Sequence, residues 1–334
     1  MQNKEKSKLS LIIRWVGTVV SMAIMVWLLS KVGWKEAWAT ISQLAWWRLV
    51  LVMALVFVSR FATYFRWNTL LSVQEEKTSA KEILKLTFAG LFASNFLPTT
   101  IGGDVFRLAG AVRLGIDSAL ATASLIADRI VGMTGMTLVL PLAIPGFVQL
   151  LKEQRAVPET LKYSPLLSGV ILPQGKEPKA EGKESFTNRV LSRIKRGIKK
   201  LGENFRYWIK NPKILITALW YTLIHQLAIY LIITILINGM GESLPFYQVA
   251  GIWSLTYFIT LLPVSVNGLG LAEVTITNLY TTLGGISTAT SIALAVILRL
   301  VWMIGSLPGA FFIGDVLAGK EKNSIGVDNG LSEE

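Results

Sequence analysis

The chain has no cysteine and a single histidine, His225. The first absence removes disulfides, thiolate nucleophiles and cysteine-ligated metals. The second removes histidine-rich metal sites and argues against a Ser-His-Asp arrangement. Charge is also scarce, at 16% of residues against 52% hydrophobic ones. The carboxylates are scattered, whereas hard metal ions want several oxygen ligands together. No phosphate-cradling glycine loop ending in Lys-Ser or Lys-Thr occurs. No cofactor and no metal are expected.

What fills the chain instead is a series of apolar runs, several of them about 20 residues long, enough to cross a bilayer. This is the composition of an all-α polytopic membrane protein. The formal charge of +12 comes with fifteen of the thirty-three Lys and Arg inside residues 152–213, against six acids there. Most of the remainder flanks apolar segments, the pattern of the positive-inside bias, so the partner is anionic lipid and not nucleic acid.

Taken in order, Lys4, Lys6 and Lys8 precede an apolar run over 9–29, read as an uncleaved first span. Trp34, Trp38, Trp46 and Trp47 then mark an external interfacial stretch. The second span, 49–71, carries two arginines. Arg66 can snorkel to the cytoplasmic interface, but Arg60 lies too deep for that. Arg60 therefore faces the interior, either paired with Asp104, Asp128 or Glu273 or in contact with a lipid phosphate. The run 83–97 is too short to span before Pro98, and crossing and re-entry both remain open. A span over 118–151 contains the adjacent Asp128 and Arg129. Residues 152–212 form a polar linker in which Leu191, Ile194, Ile198, Leu201, Phe205 and Trp208 recur at helical spacing among basic residues. That stripe predicts an amphipathic helix lying on the cytoplasmic leaflet, with anionic headgroups at 188–210. The second half, 213–318, repeats the alternation of spans and breaks, and the tail 319–334 is expected to be disordered. The result is a single membrane domain over 1–334, with halves 9–151 and 213–318. It has about eight hydrophobic segments, and both termini are cytoplasmic.

Two motifs organise the halves. Asn95-Phe96-Leu97-Pro98-Thr99-Thr100-Ile101-Gly102-Gly103-Asp104-Val105-Phe106-Arg107 is echoed by Leu261-Leu262-Pro263-Val264-Ser265-Val266-Asn267-Gly268-Leu269-Gly270-Leu271-Ala272-Glu273. Proline removes a backbone donor and glycine permits unusual backbone angles, so the helices must break or re-enter at 98–103 and 263–270. Paired breaks in two halves point to a transporter site, because irregular backbone at membrane depth survives only in protein or a wet cavity. Thr99, Thr100, Gly102 and Gly103 are candidates to line one turn, and Ser265, Asn267, Gly268 and Gly270 the other. Arg60, Arg107 and Arg129 are candidates for phosphate contact. Asp104 and Glu273 would hold those arginines or accept a cationic headgroup. The bland alternative is that Gly and Pro permit tight packing while the charges neutralise one another. Asp128 and Arg129, about 100° apart on a helix, should serve different partners, and His225 is read as an interhelical hydrogen-bonder.

The first motif, followed by Ala127-Asp128-Arg129-Ile130-Val131-Gly132 and then by Leu262-Pro263 with Gly268-Leu269-Gly270 and Glu273, resembles the transmembrane domain of bacterial lysylphosphatidylglycerol synthases. It also resembles the stand-alone flippase-like proteins that share this domain, over roughly residues 9–318. The resemblance implies a lipid flippase of the bacterial inner membrane that moves a phospholipid or lipid-linked headgroup between leaflets. The synthases carry an aminoacyltransferase domain after the membrane region; here the chain ends soon after its last span, so no aminoacyl transfer is expected and the lipid is left open. Segment 152–187 is less hydrophobic than the family pattern, as though a span were missing or replaced. The alternatives are a membrane glycosyl- or headgroup-transferase using Asp104 or Glu273, and a scaffold subunit recruiting a partner through its basic helix. A homo-oligomer is left open.

Overall fold

The computed structural model describes residues 39–72, 79–96, 102–146, 148, 200–261 and 270–318. Among these residues the secondary structure is helical, with no strand. The elements are α1 (Trp46–Leu71), α2 (Ala80–Phe96), α3 (Gly102–Arg113), α4 (Ser118–Val139) with a 3-10 turn at Leu140–Ala143, α5 (Pro212–Gly239), α6 (Phe246–Thr260), α7 (Leu271–Thr282), α8 (Thr288–Ser306) and α9 (Pro308–Ala318). Residues 200–210 are also helical. Four stretches are long and apolar enough to cross a membrane: Trp46–Leu71, Ser118–Gly146, Pro212–Gly239 and Thr288–Ser306. The expected first span at 9–29, the linker 152–199 and the tail 319–334 lie outside the described residues.

Local chemistry fixes the helix ends. Asp117 caps α4, its carboxylate accepting from Ala119 N at 2.9 Å and Leu120 N at 3.2 Å. Ser287 caps α8 by accepting from Thr290 N at 3.2 Å. Glu242, in the turn after α5, accepts from both Ser287 and Thr290. Its carboxyl is pressed upward by partial burial, and these hydrogen bonds outweigh that and hold it below its ordinary value. Gly270, at φ 78°, precedes α7 and donates its N–H to Glu273 Oε2 at 2.8 Å.

The two halves repeat one another. A long helix (α1 or α5) leads to a shorter one (α2 or α6), which is interrupted before a helix of 12 residues (α3 or α7). A turn with a positive-φ glycine follows, Gly115 in one half and Gly285 in the other. Next comes a side-chain-capped long helix (α4 or α8), which passes into a proline-containing continuation at Pro141 or Pro308. Asp104 and Glu273 both take the third position of these 12-residue helices. The long helices α1 and α5 run antiparallel: Arg48 meets Gly239, Ser59 meets His225, and Arg66 meets Thr222. Equivalent helices of opposite direction make this an inverted repeat, the arrangement that places substrate sites near the bilayer midplane.

The helices that flank each motif lie against one another. In the first half, Gly103 lies against Ser94 and Gly90, and Arg107 lies beside Gly90, so α3 folds back along α2. In the second half Tyr280 Oη donates to Val249 O at 3.3 Å, so α7 folds back along α6. The halves also exchange contacts. Gly309 of α9 packs on the Phe88 carbonyl of α2, and Gly251 of α6 packs on Ala143 after α4.

Two apolar cores result. One gathers Val52 and Val56 of α1 with α5 from Ile229 onward and with α6, α7 and α8. The other gathers Tyr64, Trp67 and Leu70 with α2, α3, α4, Ala218 and Trp208. Trp208 is 1% exposed, with Leu201 and Phe205 packed beside it. The described end of the basic stripe therefore packs Trp208, Leu201 and Phe205 on the protein; the rest of the stripe, 188–199, lies outside the described residues. Between the two cores, at the middle of α1 and α5, the side chains turn polar.

Candidate functional site

Ser59, Arg60 and Thr63 lie between the two apolar cores along α1, with Arg66 just inside the second, and Thr222, His225 and Gln226 lie between them on α5. Arg60 is about 21 Å along a helix of about 39 Å, at 1.5 Å per residue, within a span that runs Trp46–Leu71. This is the depth at which a charge is most expensive.

A cavity of about 190 Å³ opens here. Its walls include Arg60 and Arg66 from α1, Asp104 and Arg107 from α3, Asp128 and Arg129 from α4, Thr222, His225 and Gln226 from α5, and Tyr257 from α6. Its floor on α2 includes Gly90 and Ser94. Four guanidinium groups therefore face two carboxylates.

The two carboxylates each hold a pair of arginines. Asp128, 4% exposed, accepts from Arg66 Nε at 2.6 Å and from Arg107 Nη1 at 3.4 Å. Arg66 Nη1 also donates to Thr222 Oγ1 at 3.3 Å. Asp104 accepts from Arg129 Nε at 3.0 Å and lies 3.5 Å from Arg107 Nη1. Arg107 is thus shared between both carboxylates, while its guanidinium carbon lies 4.1 Å from the centre of the Trp67 ring. The stem of Arg107 fits because position 90 has no Cβ; one there would come within 2.6 Å of Arg107 Cγ.

Arg60 is held differently. It donates from Nη2 to the Trp302 carbonyl at 3.4 Å, with its guanidinium carbon 5.1 Å from the Trp302 ring centre. No carboxylate pairs with it among the described residues, so the expected ion pair with Asp104, Asp128 or Glu273 is not what holds it. Arg60 Nε, Arg107 Nε and Nη2, and both amide atoms of Gln226 are buried without hydrogen-bond partners among the described residues. Buried donors of that kind each cost about 1–3 kcal/mol unless something accepts from them. His225 Nδ1 and Ser59 Oγ share a hydrogen bond of 2.8 Å across α1 and α5.

The sequence-predicted residues sort into three groups. Arg60, Asp104, Arg107 and Arg129 come together in the cavity wall. Gly102 begins α3, and Gly103 is filled by its neighbours: an added Cβ would meet Ser94 Oγ at 1.9 Å and Gly90 O at 2.4 Å, which makes it a packing position. Gly270 and Glu273 stand apart from the cavity lining. Glu273 accepts from Arg299 Nε at 2.5 Å and from Gly270 N, so it holds the start of α7 to α8 and no cavity arginine. The pair Glu273–Arg299 occupies the place in the second half that Asp104–Arg129 occupies in the first. Thr99, Thr100, Ser265, Asn267 and Gly268 lie outside the described residues.

Sequence reasoning missed Arg66, Asp128, Thr222, Gln226, Tyr257 and Gly90 as site residues. Arg66 is the clearest correction. Its place near the end of the span suggested a snorkelling side chain, yet it is 9% exposed and turned onto Asp128. An inward carboxylate one helix away outcompetes the interface. The adjacent Asp128 and Arg129 do serve different partners, but both partners belong to one network. The usable signal was the repeat itself, which brings the midpoints of α1 and α5 together.

The family model described as "Lysylphosphatidylglycerol synthase TM region" matches residues 14–309. A search of curated proteins returned no match.

Proposed function

The chain belongs to the lysylphosphatidylglycerol synthase TM family, a membership that makes it a membrane protein concerned with lipids, and we propose that it is a flippase-like translocator of an anionic lipid headgroup. The observation that carries this reading is the cavity between the two cores, lined by four arginines and two aspartates, with buried donors left over. A headgroup crossing hydrocarbon needs a polar station, and planar guanidinium groups are matched to phosphate oxygens. The inverted repeat supports alternating exposure of that station by rocking one half against the other. In this reading the protein sits in the bacterial inner membrane with both termini cytoplasmic. The driving force is a gradient or the lipid's own concentration difference.

The test is leaflet exchange in proteoliposomes carrying headgroup-anionic fluorescent lipids, with wild type beside Arg107→Gln and Arg129→Gln. Wild type should exchange lipid, and each variant should be at least tenfold slower at equal incorporation. Equal rates in all three would refute the site; no exchange by wild type with any anionic lipid would refute translocation.

A further inference from the structure

Resting on that reading of the cavity as an anionic headgroup site, we infer that its preferred ligand is a lipid phosphomonoester, a headgroup ending in a doubly charged terminal phosphate, over a phosphodiester. Two observations carry this. The first is charge. Arg60, Arg66, Arg107 and Arg129 against Asp104 and Asp128 leave two positive charges in excess around one cavity. A phosphodiester neutralises one; a terminal phosphate carries about −1.5 to −2 near neutral pH.

The second is the inventory of donors. Arg60 Nε on α1, Arg107 Nε and Nη2 on α3, and Gln226 Nε2 on α5 are nitrogens without partners, on side chains exposed by 9%, 7% and 1%. Their side chains come from three helices and line the cavity, where Arg60 Nη2, Arg66 Nε and Nη1, Arg107 Nη1 and Arg129 Nε are already hydrogen-bonded to Trp302, Asp128, Thr222, Asp128 and Asp104. A terminal phosphate offers three strong acceptor oxygens. A diester has only two unesterified oxygens, and its second ester arm would have to occupy the same space.

The experiment uses the full chain in detergent and isothermal titration calorimetry with three probes: dioctanoyl phosphatidic acid, dioctanoyl phosphatidylglycerol and farnesyl phosphate. At pH 8 the two monoesters should each bind at least tenfold more tightly than the diester. At pH 5, below the second phosphate pKa of about 6, the monoesters carry one charge and the preference should shrink to threefold or less. Arg129→Gln, which removes one excess charge, should weaken monoester binding at pH 8 by more than it weakens diester binding, so that the preference falls.

Equal monoester and diester affinity at pH 8 would overturn the monoester assignment and leave the anionic-headgroup reading standing. No binding of any of the three would overturn both. Tight binding of only one monoester would support the phosphate assignment and identify the tail source. A preference that survives unchanged at pH 5 would also overturn the inference, since the second charge would then play no part.

Discussion

Replacing Asp128 by asparagine keeps the side chain's shape and removes its charge. In the native protein this carboxylate lies between Arg66 at 2.6 Å and Arg107 at 3.4 Å, and is 4% exposed. Removing one member of a buried ion pair costs about 3–5 kcal/mol, chiefly because the partner charge is left buried and uncompensated. Here two guanidinium groups lose the same partner. Arg107 retains Asp104 at 3.5 Å and the Trp67 face, while Arg66 retains only Thr222 among the described contacts. The loss should therefore fall near that range and be dominated by Arg66. At about 2 °C per kcal/mol, it corresponds to a Tm lower by roughly 6–10 °C. Thermal unfolding of purified protein in detergent measures it, with a double-mutant cycle to Arg66→Gln. Removing both charges should restore part of the loss, with a coupling energy of about 1–3 kcal/mol. Asp104→Asn serves as the contrast. Its partner Arg129 has a side chain 50% exposed, so that variant should lose about 1 kcal/mol or less. A Tm for Asp128→Asn within 2 °C of wild type, or single losses that simply add in the double variant, would refute the claim that Asp128 is the structural centre of the network.

Two further outcomes follow from the helix contacts. Gly103→Ala should destabilise by about 1–3 kcal/mol through overpacking, and Ser94→Ala should not rescue it, because the backbone oxygen of Gly90 would still lie 2.4 Å from the new Cβ; rescue to the wild-type Tm would sink the argument. Asp117 is held below its ordinary value of 3.8, first by the hydrogen bond from Lys200 and then by the N–H groups of Leu120 and Ala119, against partial desolvation. A depressed carboxylate contributes fully above its ordinary value and loses its contribution as pH falls through the folded one. Asp117→Ala should therefore lower stability by about 1 kcal/mol at pH 7, and the gap to wild type should close only below about pH 4; a gap that closes between pH 5 and 7 would contradict the assignment.

Much of the architecture was legible because its causes are local. Runs of apolar residues, tryptophans at their ends and Gly-Pro clusters inside them act over one helix length, and they set the all-helical membrane class and the interruptions near Pro98 and Pro263. The direction of the chain after the interruption was not local. It depended on Gly103 finding room against Ser94 and Gly90, a fit that no single segment displays.

The sequence by itself determined that Arg60 needs an internal partner, since charge at that depth is costly wherever the helices go. Only the tertiary structure decided which partners the arginines take. Arg66 and Asp128 lie 62 residues apart and Arg60 and Trp302 lie 242 apart. Glu273, which looked like the counterpart of Asp104 in function, became its counterpart in position only, bound to Arg299 and the start of α7. The physical reason is that burial cost belongs to one residue, whereas pairing belongs to helix packing. Here the antiparallel crossing of α1 and α5 sets the arginines of one half against the polar midpoint of the other.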